Sequence, residues 1–505
     1  MIMGLQATSP AFADAEPFPP LPVAAGATPP AGACALDFFI SFESSGKWPD
    51  DLGAIAHLRT AFYLRLAALL EEQHKLLCEV RHEALYVQHD GFTFRAMIHH
   101  EREISLLEEQ KDELGARALK WRTTSGGTHT ASISALARTH PALAPSIRLA
   151  KRWLACQLYT GEVPPSLVEL LTAATFASAG ERAPCSAVCG FANFLHLLAS
   201  YDFEHEPLLF GFDGAITEEH REVAEAAFTK QRDADTADAI ADDRVFIPPL
   251  AIWIATDHEL GGAAGCAAGP TTASVHRLRA LASAALAHLD RACLIDPPAL
   301  LSAAAGVDTT AAVAQGHAAA PKDAAAAAAA ALDRTTRAVV CRAFDPPSND
   351  FDALLELGAA KLPCAHLSWQ PGVAVSKGRE PKAASAYANL RRGEIAAGIG
   401  DDPVAALVAA LEGAYGSLAL FFYDGLGGRV IAIKWKPAAF LPSSLRAPTA
   451  QHRMLVRQSG AATDDAEAAT WAMPNVADAL AGMVQLGGGL IKSVRMPQTG
   501  HALRQ

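Results

Sequence analysis

Apolar and polar positions along this chain follow two periods, and the changes of period mark out its elements. After a start rich in Pro, Ala and Gly, the run ALDFFISFE at 35–43 has the length and apolar character of a strand. AIAHLRTAFYLRLAALLEEQ then carries Ile55, Leu58, Phe62, Leu66, Leu69 and Leu70 at helical spacing, with Asp50 and Asp51 at the helix's positive end. In ALYVQHDGFTFRAMI, Phe92, Phe94, Ala96 and Ile98 alternate behind an Asp-Gly pair, which predicts a β-hairpin. The glycine pair of RTTSGGTHT predicts a loop near 125 that ends this small α+β unit.

From about 130 to 300 the period is helical. PSIRLAKRWLACQLY, PPSLVELLTAATF and GFANFLHLLASYDF place apolar residues at three- and four-residue steps between Pro and Gly breaks. FIPPLAIWIATDHE reads as one buried strand and ASVHRLRALASAALAHL as a closing helix. Residues 302–332 are mostly alanine, favourable to helix but with no large apolar face to bury, and read as a linker. Mixed character returns afterwards: AVVCRAF and FDALLELG predict strands, PVAALVAALEGAY a helix, ALFFY and VIAIKW two strands, and NVADALAGMVQLGGGLIKSVRM a helix and a last strand.

The resulting fold class is α+β and multidomain. It comprises a flexible lead-in at 1–34, an α/β domain at 35–125, a helical domain at 126–305, an Ala-rich linker at 306–334 and a C-terminal α/β domain at 335–497. At 505 residues the chain exceeds a single ordinary core. No run approaches the roughly 20 apolar residues of a membrane helix, so no membrane partner is expected. Nine cysteines without a CxxC pair fit free thiols in a reducing compartment.

A net charge of −12 sets the whole-molecule field against polyanions, so any nucleic-acid contact needs a local basic face. Arg148, Lys151 and Arg152 form one such stripe, on the helix of IRLAKRWLACQ; a solvated helix face is the alternative. From Gly428 to the end, nine Lys or Arg stand against four Asp or Glu, and Lys434 and Lys436 flank Trp435 in that region. These five residues are the candidate RNA contacts, again with solvated charge as the alternative.

Candidate catalytic chemistry is sparse. GLGG at 425–428 lacks both Walker and dinucleotide spacing and sits between two strands, which predicts a hairpin loop. His99 with His100, and Cys185 with Cys189, lack the partners of a zinc site, so the histidines read as solvated, and no metal or cofactor is expected. A nucleotidyl transferase needs two or three carboxylates on magnesium. Two Asp-x-Asp pairs occur, Asp233 with Asp235 and Asp350 with Asp352, but neither follows a Gly-Ser turn.

SFESSGKWPDD, DGFTFR, HPALAPSIRLAKRWLACQL, GFANFLHLLASYDFEHEPLLF, LALFFYDGLGGRVIAIKWKPAAF and MPNVADALAGMVQLGGGLIKSV, in this order, resemble the nucleolar RNA-associated protein (Nrap) family over about 35–497. The resemblance is to the carboxyl-terminal half of full-length members. It implies a second nucleotidyltransferase-like domain at 35–125, a helical domain similar to those of poly(A) polymerase and oligoadenylate synthetase at about 126–305, and the final α/β domain at 335–497. It also implies a nucleolar, non-catalytic scaffold of the small-subunit processome. Its partners would be pre-ribosomal RNA and processome proteins, among them a ribosomal-RNA-processing protein. The alternative is an active template-independent RNA nucleotidyltransferase using Asp350 and Asp352.

Overall fold

A computed structural model describes residues 2–20, 22, 35–42, 48–81, 84–214, 216–232, 250–260, 269–293, 341–358, 402–441, 443–444, 453–456 and 471–496. They show the mixed helix and sheet character, α+β, that the periodicity predicts. The chain groups into two compact units: Met1–Ser134, Leu158–Gly161 and Pro347–Gln505 in the first, Ala135–Gln157 and Glu162–Pro346 in the second.

The amino-terminal part of the first unit is a five-stranded sheet. In chain order its elements are β1 (Ile2–Ala7), β2 (Leu36–Phe42), helix α1 (Leu52–His74), β3 (Leu77–Arg81), β4 (Ala84–His89) and β5 (Phe92–His99). The strand order is β1-β2-β5-β4-β3, with β2 and β5 parallel and the other neighbours antiparallel. The β4–β5 turn is the predicted two-residue hairpin, with Asp90 at φ 49° and Gly91 at φ 81° as a primed turn requires. Helix α1 starts at Asp51, whose Oδ2 accepts the Ala54 N–H at 2.8 Å, and it buries Ile55 and Tyr63 on the sheet. Ile40, Leu85, Val87, Ala96 and Ile98 meet Tyr63 there, with Phe62, Leu66 and Leu70 packed around them. Each large side chain fully buried in this layer contributes about 1.5–3 kcal/mol by area.

Two expectations are corrected here. The flexible lead-in assigned to 1–34 contains β1, an edge strand paired to β2 from Ile2 to Ala7. Its short uncharged sequence looks like linker, and only the long-range pairing makes it a strand. The loop expected at RTTSGGTHT is helical: α3 (Glu113–Lys120) runs through a π-turn (Trp121–Ser125) into α4 (Gly126–Thr139). The two glycines mark close packing and not a break. A Cβ on Gly126 would lie 2.4 Å from the Trp121 carbonyl oxygen, and one on Gly127 would lie 2.4 Å from the Gln6 side chain of β1. Before this run, α2 (Glu101–Glu109) follows β5 directly.

The second unit is helical, as its period predicts. Its elements are α5 (Leu143–Cys156), α6 (Pro165–Ala177), α7 (Ala187–Ser200), α8 (Glu218–Arg232) and α9 (Thr272–Cys293), with a two-stranded parallel ribbon of β6 (Leu208–Phe210) and β7 (Ile254–Thr256). Trp153, Phe176, Phe191 and Phe194 fill the core between α5, α6 and α7. The strand expected from FIPPLAIWIATDHE is thus only three residues long. Its first residues lie outside the described ones, as does the alanine-rich stretch. AVVCRAF is not a strand where it is described: Cys341 and Arg342 are helical and Ala343 and Phe344 form a turn. This piece packs on the helical unit, since the Trp153 indole and the Gln157 amide both donate to the Ala343 carbonyl, at 3.0 and 3.2 Å. The C-terminal part therefore begins near Pro347 and not at 335.

That part is a four-stranded antiparallel sheet in the order β14-β8-β10-β9, from β8 (Ala353–Leu357), β9 (Ala419–Tyr423), β10 (Val430–Trp435) and β14 (Ile491–Arg495). Helices α10 (Pro403–Tyr415) and α11 (Val476–Leu486) cover one face, where Leu407, Leu411, Ile431, Ile433 and Met483 share a core. A small ribbon of β11 (Ser443–Ser444), β12 (Arg453–Val456) and β13 (Trp471–Pro474) accompanies it.

Candidate functional site

The face of the amino-terminal sheet away from α1 carries a polar row. Cross-strand register places Glu79 beside Tyr86, Tyr86 beside Arg95, and Arg95 beside Asp37. Alternation puts all four on one face, because their neighbours Val80, Leu85, Ala96 and Phe38 point to α1. The Arg95 guanidinium grips Asp37 through two hydrogen bonds, Nε to Oδ1 at 2.9 Å and Nη2 to Oδ2. Burial opposes the charge on Arg95, yet Asp37 and the Tyr86 phenol hold it more firmly protonated than a free guanidinium. A second carboxylate is held likewise: Glu103, at the start of α2, accepts from Arg59 of α1 at 2.7 and 2.8 Å, both residues being buried.

His99 and His100 point to opposite sides of the β5 end, as adjacency in a strand predicts. Neither is simply solvated. His99 is buried, edge-on to Phe39, with Nε2 3.4 Å from the Thr124 hydroxyl of the π-turn. His100 is half-buried, stacks on Trp48 at 4.3 Å, and accepts the Arg102 N–H through Nδ1 at 3.1 Å as the cap of α2.

The five candidate RNA contacts separate. Lys151 is corrected: it lies under the surface, 7% exposed, and its ammonium is ion-paired with the buried carboxylate of Glu169 on α6. Position 151 follows Ile147 by four and precedes Leu154 by three, so it falls on the buried stripe. That signal was present in the spacing. Arg148 and Arg152 are half-exposed on the same helix. Lys434 is exposed and donates to the Asp350 carbonyl at 2.9 Å and to Asp352 Oδ1 at 3.1 Å. Lys436 donates to the carbonyl of Gly416 at the end of α10, the position where a cation complements the helix dipole.

The glycine loop after β9 is a hairpin loop filled by its own chain. The Gly425 amide donates to the Thr160 hydroxyl at 2.9 Å, the Leu426 amide to Asp424 Oδ1 at 2.8 Å, and the Gly428 amide to the Asp424 carbonyl at 3.1 Å. Three of the loop amides that could cradle a phosphate are thus already satisfied. A Cβ on Gly425 would also lie 2.5 Å from Thr160 Cγ2.

Asp352 is engaged as well, since its Oδ2 accepts the Trp435 N–H at 2.8 Å while Oδ1 takes Lys434. Asp233 and Asp235 lie outside the described residues. One grouping has no counterpart in the sequence reading: Asp213, Asp257 and His258, just past β6 and β7, bring ligand atoms within 4.8 Å of one another. Asp257 already accepts the Phe212 and Asp213 amides at 3.1 and 3.2 Å. Its parts are 44 residues apart, so the parallel pairing of β6 with β7 alone brings them together.

Comparison with known proteins gives the following. Three family models match in series: "Nrap protein nucleotidyltransferase domain 4" at residues 1–141, "Nrap protein PAP/OAS1-like domain 5" at 140–300 and "Nrap protein domain 6" at 348–494. Relatives named Nucleolar protein 6 match across most of the chain. That of Mus musculus is 28% identical over 465 residues, covering 90% of this chain and 34% of the relative. That of Homo sapiens is 27% identical over 465 residues, 90% of this chain and 35% of the relative. That of Xenopus tropicalis is 27% identical over 523 residues, 98% of this chain and 40% of the relative. The chain thus spans about a third to two-fifths of the length of these relatives. A solved chain titled "Structure of E. coli MS115-1 CdnC:HORMA-deltaN complex" overlaps 53% of this chain and 76% of its own, at 16% identity and a TM-score of 0.32, too loose a superposition to carry weight.

Proposed function

The chain belongs to the Nrap family, and on that premise we propose that it acts in nucleolar maturation of ribosomal RNA as a scaffold without turnover. In this reading it binds pre-ribosomal RNA, proteins of the small-subunit processome, or both, including a ribosomal-RNA-processing partner. The observation that carries the non-catalytic part is the Asp37–Arg95 pair on the nucleotidyltransferase-like sheet. Nucleotidyl transfer needs carboxylate oxygens converging on magnesium. Here Asp37 serves a guanidinium, Glu103 serves another, and Asp352 serves an ammonium and a backbone amide. An Arg beside Asp37 and another beside Glu103, and Lys434 beside Asp352, supply the positive charge a metal would otherwise bring. Arg148, Arg152 and Lys434 are the surface cations retained as RNA contacts.

The test incubates the purified chain with radiolabelled nucleoside triphosphates, an RNA primer and magnesium. No incorporation is expected. Robust incorporation that Asp37→Ala or Asp350→Ala abolishes would overturn the scaffold reading in favour of an active nucleotidyltransferase. A fluorescently tagged chain is expected to concentrate in the nucleolus and to co-sediment with precursors of the small-subunit RNA.

A further inference from the structure

Three consecutive residues, the last two of β5 and His100 just after it, tie the sheet to three different elements. The Ile98 N–H donates to the Tyr63 hydroxyl of α1 at 2.8 Å; His99 meets Thr124 in the π-turn; His100 caps α2 and stacks on Trp48. Two of these three ties run through an imidazole, and the setting of each ring disfavours its protonation. His99 is buried, and its Nδ1 has no hydrogen-bond partner among the described residues. A second ring proton would leave a buried N–H with nothing to receive it. His100 uses the Nδ1 lone pair to accept the Arg102 amide, and protonation removes that acceptor. The added charge would also face the positive end of α2. π-turns are rare, and the one at 121–125 meets the end of β5 through the Thr124–His99 contact.

We propose that His99 and His100 form an acid-sensitive latch, which holds the π-turn and the start of α2 against the end of β5 when neutral and releases them when protonated. The charged groups around it have known commitments. Arg59 of α1, ion-paired to Glu103 of α2, raises the cost of a charge on His99. Glu101 at the head of α2 favours protonation of both rings, and Arg102 is held between Asp50 and Glu109. On the π-turn, Arg122 reaches the Met97 sulfur. Burial outweighs Glu101 and pushes both histidines below the ordinary imidazole value of about 6.5. The unfolded chain therefore binds more protons than the folded one as the pH falls below 6.5. The stabilisation is complete above that pH and is lost progressively beneath it.

Two tryptophans on the elements it holds report on the latch, Trp121 in the π-turn, where it meets the His129 ring, and Trp48 over His100. The full chain carrying 5-fluorotryptophan, with those two resonances assigned through Trp121→Phe and Trp48→Phe, is titrated by fluorine NMR from pH 7.5 to 5. The Trp121 and Trp48 resonances are expected to shift together with a midpoint below 6.5, while the other five tryptophans stay in place. His99→Gln keeps an amide within reach of Thr124, and His100→Asn keeps an N-cap acceptor; each is expected to remove its own tryptophan's transition. Unmoved Trp121 and Trp48 resonances in the natural sequence down to pH 5 would overturn the proposal, whatever the variants do. So would the same transition persisting in both variants.

Discussion

Lys151 shows how one residue changes meaning with its surroundings. It is a basic residue in a basic stretch, yet its ammonium is buried against Glu169 in the helical core. Removing one partner leaves the other charge buried alone. Lys151→Met is expected to cost about 3–5 kcal/mol of stability, read from the midpoint of urea denaturation. Lys151→Met with Glu169→Leu is expected to recover most of that loss, because an apolar pair of similar volume no longer needs desolvated charges to meet. An RNA-binding test should therefore leave Lys151 alone. Arg95 illustrates the converse: it sits in DGFTFR, a stretch legible only as a hairpin, and its pairing with Asp37 becomes visible once the register of β2 against β5 is known.

At the level of elements, glycines separate packing from propensity. Gly126 ends the π-turn, where a Cβ would press on the Trp121 carbonyl, so Gly126→Ala is expected to destabilise by about 1–3 kcal/mol although alanine favours helix. Gly413 lies in α10 with open space around it, and Gly413→Ala is expected to stabilise by about 0.5–1 kcal/mol. Thermal unfolding of the two variants side by side checks both signs; a stabilised Gly126→Ala would contradict the packing argument. Most elements were legible because their own residues favour them. Helix α1 has its Asp51 cap and apolar period, and the β4–β5 hairpin has Asp-Gly at the positive-φ positions. Those that were not legible depend on distant partners: β1 on its pairing from Ile2 to Ala7 with β2, more than 30 residues away, and the helical run around 121–139 on Thr124 against His99 and Gly127 against Gln6.

For the whole molecule, the −12 net charge limits how tightly any RNA is held. Binding to a structured pre-ribosomal fragment is expected to weaken with salt along a shallow slope of log affinity against log salt concentration, about two or three released counterions' worth, because two of the five candidate contacts, Lys151 and Lys436, are committed to the fold. Arg148→Glu with Arg152→Glu should flatten that slope further in a titration from 50 to 300 mM salt. An unchanged slope would make this helix face solvated charge and nothing more. The three matched domains run in one order over most of the chain, so the scaffold reading concerns all of them together.

The sequence by itself determined the helical and strand periods, the glycine hairpin after β9 and the family to which the chain belongs, since each of these is written in neighbouring residues or in long unusual motifs. Only the tertiary structure decided which charges are available. Asp37 meets Arg95 across 58 positions, Arg59 meets Glu103 across 44, and Lys151 meets Glu169 across 18. Whether a carboxylate is open to a metal, or a lysine to RNA, depends on what faces it in space, and that is set by strand register and helix packing rather than by spacing along the chain.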